Sequence, residues 1–435
     1  MTTDHLAFAF VTIPIPYQYE SADRLSGPYS VWHDILSVSC GCAEGAPFSG
    51  RSPGKRVALV LVSPGHLLAL LGTAVLTVPA AAQVAVQTIE DCTDACMLRV
   101  QRIAVIGDSV GPGYVGDPAA LSQSSDGRWI LADRFDQDRL KVFSEEGVFR
   151  RTVGRRGGGP GEFQVTQFIT PIGGDSIEVF DLGQARFTVF DASWNVVRTS
   201  QVRQAGPEMA RFADGSRVFS GKINLPMQLG LPLHLLSPAG EHLRSFGADP
   251  IIGQVSNRDL FYRQLAVSGP DRLWAAHLVR YRLEEWNTAG ELLSILERAP
   301  EWFPPQSTFD ATPSSGGPPT PGLFGVRYDS TGLIWTIIAV PDAGWAEGVD
   351  QGQDPWGRMV PVPGDFGALF DTIVEVIDPR TATVVGRARL DAYLKDFAAD
   401  GIAYGLGEHP NGETRIEIWR IQLPSAPARG FTNWR

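Results

Sequence analysis

Four patterns in the chain carry residue types that could do chemistry. The first is "GDSVG", Gly107 to Gly111, which has the Gly-x-Ser-x-Gly spacing of a nucleophile elbow with Ser109 as the nucleophile. An elbow needs a helix directly after the serine, and Pro112-Gly113 stand there instead, so acyl transfer at Ser109 is disfavoured. The second is "GVFRRTVGRRGGGPGEFQ", Gly147 to Gln164, with six glycines and four arginines in eighteen residues. It lacks the Gly-x-Gly-x-x-Gly register and the Gly-Lys-Ser/Thr ending of phosphate loops, and Pro160 interrupts any helix that could present its amides to an anion. The third is "CTDAC", in which Cys92 and Cys96 lie too far apart for a Cys-x-x-Cys redox pair and have no Cys/His partners for zinc. A local disulfide is the expectation. The fourth is a set of isolated residues, Asp133, Asp181 and His277, whose significance depends on the elements that place them.

Those elements follow from composition. The 435 residues include 47 glycines, 32 prolines and 11 tryptophans, which favours many short strands and tight turns over long helices. The formal net charge of −11 disfavours nucleic acid and anionic membranes as partners. From Gln83 onward 33 Lys/Arg face 43 Asp/Glu, so the acidic balance belongs to the main domain. The arginines 150, 151, 155 and 156 read as a solvated face.

Residues 51–82 have the form of a secretory signal peptide: Lys55-Arg56, an apolar run whose clean part is Leu67 to Val78, then Ala80-Ala81-Ala82. Cleavage after Ala82 is expected, with an uncleaved anchor over residues 57–78 as the alternative. Residues 1–50 precede it without periodicity and read as a disordered leader or an upstream start; they include Cys40 and Cys42. Residues 83–97 are then an N-terminal segment carrying Cys92 and Cys96. The expected location is extracytoplasmic, periplasmic or secreted.

The glycine loop recurs. "IGDSVGPGYV" (Ile106 to Val115) and "VGRRGGGPGEF" (Val153 to Phe163) share a shape, and Asp126–Gly154 matches Gly174–Val202 with Asp133 over Asp181 and Arg150 over Arg198, each 48 apart. Four further copies lie at 214–247, 270–296, 331–390 and 400–423. A repeating unit of three or four short strands is a propeller blade. The sixth copy lacks its outer strand, and Leu98 to Ile106 has the character of one. The expected fold is therefore all-β, a six-bladed β-propeller over residues 98–425 whose ring is closed by that N-terminal strand joining the last blade. Residues 301–322 and 339–371 become long loops on blade four or five, and the glycine loops become connectors between blades.

The wording of "VGRRGGGPGEF" after an outer strand and of "DSIEVFDLG" (Asp175 to Gly183) inside a blade resembles the NHL-like six-bladed propellers of exported bacterial proteins, closely over Leu98 to Arg198 and thinly beyond. The resemblance implies a propeller in an extracytoplasmic setting. That superfamily contains binding scaffolds as well as lactonases and lyases, so it implies no single activity.

In a ring, equivalent residues of different blades converge, and aligning the repeats puts Asp133, Asp181 and His277 at one level, with Gly221, Ile338 and Gly407 or their neighbours at that level elsewhere. Two roles are open: a cation or polar-ligand site at a channel mouth, or aspartates that cap turns through backbone amides. Trp129, Trp274, Trp335 and Trp419 fall in strands and read as packing between blades. Trp345 and Trp356, in a long acidic insertion, read as a partner-contacting surface. The expected function is a non-enzymatic binding or scaffold module contacting a protein, glycan or small ligand through its loop faces. It requires no cofactor, though calcium or another divalent cation is compatible with the carboxylates. The alternative is a cation-dependent hydrolase or lyase, of the lactonase or streptogramin-lyase sort, with a site in the central channel.

Overall fold

The computed structural model describes residues 84–92, 96–136, 139–203, 205–221, 231–247, 258–313, 316–353 and 358–424. The leader, the signal-like segment and Trp356 lie outside them. The described chain is a six-bladed β-propeller. From axis to rim, blade 1 is Pro118–Gln123, Trp129–Asp133, Leu140–Phe143 and Phe149–Val153; blade 2 is Thr166–Pro171, Ile177–Asp181, Arg186–Phe190 and Val196–Gln201. Blade 3 is Glu208–Arg211, Arg217–Ser220, Leu233–Leu236 and His242–Phe246; blade 4 is Arg263–Val267, Arg272–His277, Arg282–Asn287 and Leu292–Glu297. Blade 5 is Gly322–Tyr328, Ile334–Pro341, Phe370–Asp378 and Thr383–Leu390. Blade 6 takes Leu394–Ala399, Ile402–Glu408 and Thr414–Gln422 from the end of the chain and Arg99–Ile106 from its beginning, paired antiparallel from Arg99 opposite Gln422 to Ile106 opposite Ile416. This closure leaves no open end to the array.

The middle strands are buried on both faces, as Trp129–Asp133 and Arg186–Phe190 are along their whole length, because each sheet is sandwiched between two neighbours. Outer strands such as Val196–Gln201 are exposed. The core is accordingly divided into layers, one between each pair of blades. Ile130, Leu140, Phe163 and Val179 fill the layer between blades 1 and 2, and Ile106, Trp129, Tyr404 and Ile418 fill the one that joins blade 6 to blade 1. Trp274 and Trp335 lie in the layers before and after blade 5, with Trp419 against the edge of the latter.

The segment before the closing strand is a strap. Val86–Thr88 adds parallel to the outer strand of blade 4, Glu90 and Met97 bridge to Thr383 and Arg387 on the outer strand of blade 5, and Cys92 is disulfide-bonded to Cys96 between them. Asp91 anchors it by accepting from Arg387 at 2.6 Å. Arg387 also reaches buried Glu375, which accepts from Tyr281 Oη at 2.5 Å and lies 3.3 Å from Arg298. The strap thus covers two sheet edges that would otherwise be free to pair.

Candidate functional site: the loop face and the channel

The up-and-down order of each blade divides its connections between two faces of the ring. On one face, the turns from inner to second strand and from third to outer strand are all between two and five residues long. Several are Asx-type turns: Asp191 accepts from the amides of Ser193 and Asn195, and Asp329 from those of Thr331 and Leu333. On the other face lie the connectors between blades and the links from second to third strand. Two of these, 298–321 and 342–369, run to 24 and 28 residues.

Asp133, Asp181 and His277 all end second strands on this loop face, each opposite the first residue of its inner strand. The ladders put Ser220, Ala339 and Gly405 at or beside that level in blades 3, 5 and 6, a shift of one or two residues from the sequence alignment. The two aspartates are fully buried and hold the incoming connectors. Asp133 accepts from the amides of Gly116, Asp117 and Phe135 and from Lys141 Nζ at 2.7 Å. Asp181 accepts from the amides of Gln164, Val165 and Gln184 and from Gln184 Nε2. His277 Nε2 lies 3.3 Å from Glu284, and burial, with the Arg263 cation nearby, lowers its pKa to about 4.

The glycine loop is a connector between blades 1 and 2. Gly154 and Gly161 take φ of 85° and 75°, which favours glycine, and Phe163 is fully buried at its end. Its backbone is turned the opposite way from a phosphate cradle: the carbonyls of Gly158, Gly159 and Glu162 converge on the Arg186 guanidinium at 2.6–2.8 Å. A phosphate would need amides in that place. Ser109 lies in the equivalent connector between blades 6 and 1.

An aromatic cluster gathers at the loop-face end of blade 5. Phe324, on the inner strand of blade 5, packs edge-on against Phe309 of connection 298–321 at 4.9 Å, and Phe309 packs on Phe370 at 5.8 Å. Phe366 and Tyr393 complete the cluster, which roots both long connections. Trp345 lies on the short 3-10 helix Trp345–Gly348 of the second of them and is partly buried. Phe135 is 72% exposed on the same face, with Val110 and Met359 also exposed.

The axis itself carries residues that the sequence patterns did not single out. Glu208 opens the inner strand of blade 3, and Asp396 is the third residue of the inner strand of blade 6, the blade opposite. Burial raises Glu208 well above the ordinary carboxyl range; the negative charge of Asp396 adds to the rise and a hydrogen bond with Gln264 opposes it. Both carboxyls thus stand on inner strands that border the channel, in blades on opposite sides of the ring. Burial lifts Asp396 to about 6, against its bond from the Phe397 amide (2.7 Å) and the charges of Arg327 and Lys395. Gly325 makes room for it: a side chain there would begin 3.2 Å from Asp396 Oδ1. Lys395 turns the other way, donating to the Pro118 carbonyl of blade 1, and burial followed by the Arg134 cation lowers it to about 8. The arrangement places two carboxyls of raised pKa and the Gln264 amide on inner strands that border the channel. It can accept a cationic or hydrogen-bonding group. The only sequence signal was the presence of acidic residues on first strands, which is visible once those strands are placed.

Comparison with known proteins agrees with the ring. A family model described as a 6-bladed beta-propeller matches residues 117–205. No curated protein matches the sequence significantly. Among solved structures, a member of the DUF4221 family from Bacteroides vulgatus is 9% identical and superposes with a TM-score of 0.51, covering 76% of this chain and 99% of its own. A protein from Bacteroides fragilis, described as exported, is 9% identical, TM-score 0.48, over 78% of this chain and all of its own. Virginiamycin B lyase from Staphylococcus aureus is 8% identical, TM-score 0.38, over 75% of this chain and all of its own.

Proposed function

We propose that the protein is an extracytoplasmic binding propeller that receives a protein or glycan partner on the loop face, with the channel carboxyls taking a cationic or hydrogen-bond-donating group of the ligand. The observation that carries this reading is the asymmetry of the two faces: both long connections and the exposed Phe135 belong to one of them, while the other is built of minimal turns. Trp345 and the second long connection form part of the contact surface. Export is supported by the signal-like residues 51–82 and by the Cys92–Cys96 disulfide, which persists in oxidising compartments; kinship with the NHL-like exported propellers is part of the same proposal. The test is hydrogen exchange on the protein bound to a partner captured from the cell envelope of its source. Protection is expected in 107–117, 298–321 and 342–369, and capture falls in a Phe135→Ser, Met359→Ser double variant. Protection confined to the tight-turn face, or capture indifferent to that double change, overturns the reading.

A second reading, a hydrolase or lyase acting in the channel, is supported by the raised pKa values of Glu208 and Asp396 on inner strands. Turnover of a lactone panel that disappears in both Glu208→Gln and Asp396→Asn would favour it over binding alone.

A further inference from the structure

Where connection 342–369 leaves blade 5 and returns to it, three aspartates meet. Asp342 follows the second strand, Asp371 is the second residue of the third, and Asp391 follows the outer strand. One carboxylate oxygen from each lies within 4.8 Å of the others. Asp342 Oδ1 accepts from the Gly344 amide at 2.5 Å, and Asp371 Oδ2 from Arg389 Nε at 2.7 Å. A surface group of acids is ordinarily just solvated, but Asp371 is only 8% exposed, and its second oxygen, Oδ1, is sealed from solvent with no hydrogen-bond donor among the described residues. A buried, unpaired carboxylate oxygen is costly and calls for a bound ion or water to satisfy it.

We propose that Asp342, Asp371 and Asp391 form a calcium site at the root of this connection. Three carboxylates beside one guanidinium leave two negative charges, matching a dication. The donors are all hard oxygens, which suits calcium or magnesium and not zinc or copper. Calcium takes six to eight oxygens at about 2.3–2.6 Å in a flexible shell, whereas magnesium at about 2.0–2.1 Å demands a near-ideal octahedron. The unequal exposure of the three groups, Asp371 buried and Asp391 open to solvent, fits the ion with the more tolerant geometry. Water would complete the coordination on the open side at Asp391. Bound there, the ion ties both ends of the long connection to the exit of the outer strand. The site stands on the trio alone and does not depend on what the loop face binds.

The experiment is calorimetric titration of the purified, chelator-treated protein with calcium chloride, repeated with magnesium chloride, alongside thermal unfolding in each. One calcium per chain is expected, with a Kd of about 0.1–1 mM, typical of extracellular modules, and a higher Tm in calcium. Asp391→Asn, which alters an exposed group and leaves the fold intact, weakens binding at least tenfold, as does Asp342→Asn, while Glu347→Gln on the same connection leaves it unchanged. Absence of heat and of a Tm rise at about 10 mM calcium, equal response to magnesium, or tight binding retained by Asp391→Asn overturns the proposal.

Discussion

Replacing Asp133 with alanine tests whether the aspartates at the ends of second strands serve the fold or a ligand. The carboxylate is fully buried against Lys141, which is 2% exposed and has Asp133 Oδ2 at 2.7 Å, the Tyr114 carbonyl at 2.5 Å and Asp136 at 3.6 Å. Removing the acid leaves the buried ammonium with only the Tyr114 carbonyl and the more distant Asp136, and frees three amides, two of them on the connector from blade 6. Breaking a buried ion pair from one side costs about 3–5 kcal/mol, a large share of a total stability on the order of 5–15 kcal/mol. At roughly 2 °C per kcal/mol for a domain of this size, Tm falls by about 6–10 °C. The connector amides can reach water, so they add little beyond this. Lys141→Met alone leaves the acid with its three amides and costs less, and the double variant Asp133→Ala, Lys141→Met recovers about 2 kcal/mol relative to Asp133→Ala because no charge is left unpaired. Urea and thermal unfolding of the four proteins measures all of this. A loss below about 1 kcal/mol in Asp133→Ala, or strict additivity in the double variant, would refute the structural role and return Asp133 to the ligand-binding candidates.

Asp396 gives a pH test. Its carboxyl titrates near 6 in the folded ring and at the ordinary 3.8 when unfolded, so between these values the native state holds more protons and stability falls as pH rises. The penalty is absent below pH 3.8 and complete above about 6, on the order of 3 kcal/mol. Asp396→Asn is therefore expected to stabilise at pH 7 and to match the parent at pH 3.5, and equal differences at both pH values contradict the buried-carboxyl account. The Cys92–Cys96 bond closes a very short loop, so Cys92→Ser with Cys96→Ser should cost no more than about 2 kcal/mol. The strap carrying it should then gain hydrogen exchange while the blades do not; global loosening would show that it holds more than the edges of blades 4 and 5.

The parts of this fold that could be read from the sequence are those that the packing forces every blade to repeat. Second and third strands are enclosed by neighbouring sheets, so "WILAD" and "IEVFD" keep the same apolar pattern and the same terminal aspartate, and the missing outer strand of the sixth copy pointed directly to Leu98–Ile106. The strap was not legible because three residues, Val86–Thr88, have too little pattern to reveal a parallel pairing with a strand more than two hundred residues away. The alignment of blades 3, 5 and 6 drifted because their second strands differ in length: Ile334–Pro341 has eight residues where Trp129–Asp133 has five.

The inner strands failed for a reason that bears on function. They pack on one edge only, and the other edge faces the channel, so their sequences are released from the common pattern. "EMAR" in blade 3 and "LKDFAA" in blade 6 share nothing with "PAALSQ" in blade 1. That freedom is what allows Glu208 and Asp396, on opposite blades, to be brought to one axis without disturbing the layers that hold the ring together. It also separates two kinds of acid in this molecule. Asp133 and Asp181 recur at a fixed offset and spend their oxygens on amides, whereas Glu208 and Asp396 occur once each and have pKa values raised chiefly by burial. In a repeat fold, regularity marks what the scaffold needs, and an acid that breaks the repeat on an inner strand is the better candidate for chemistry.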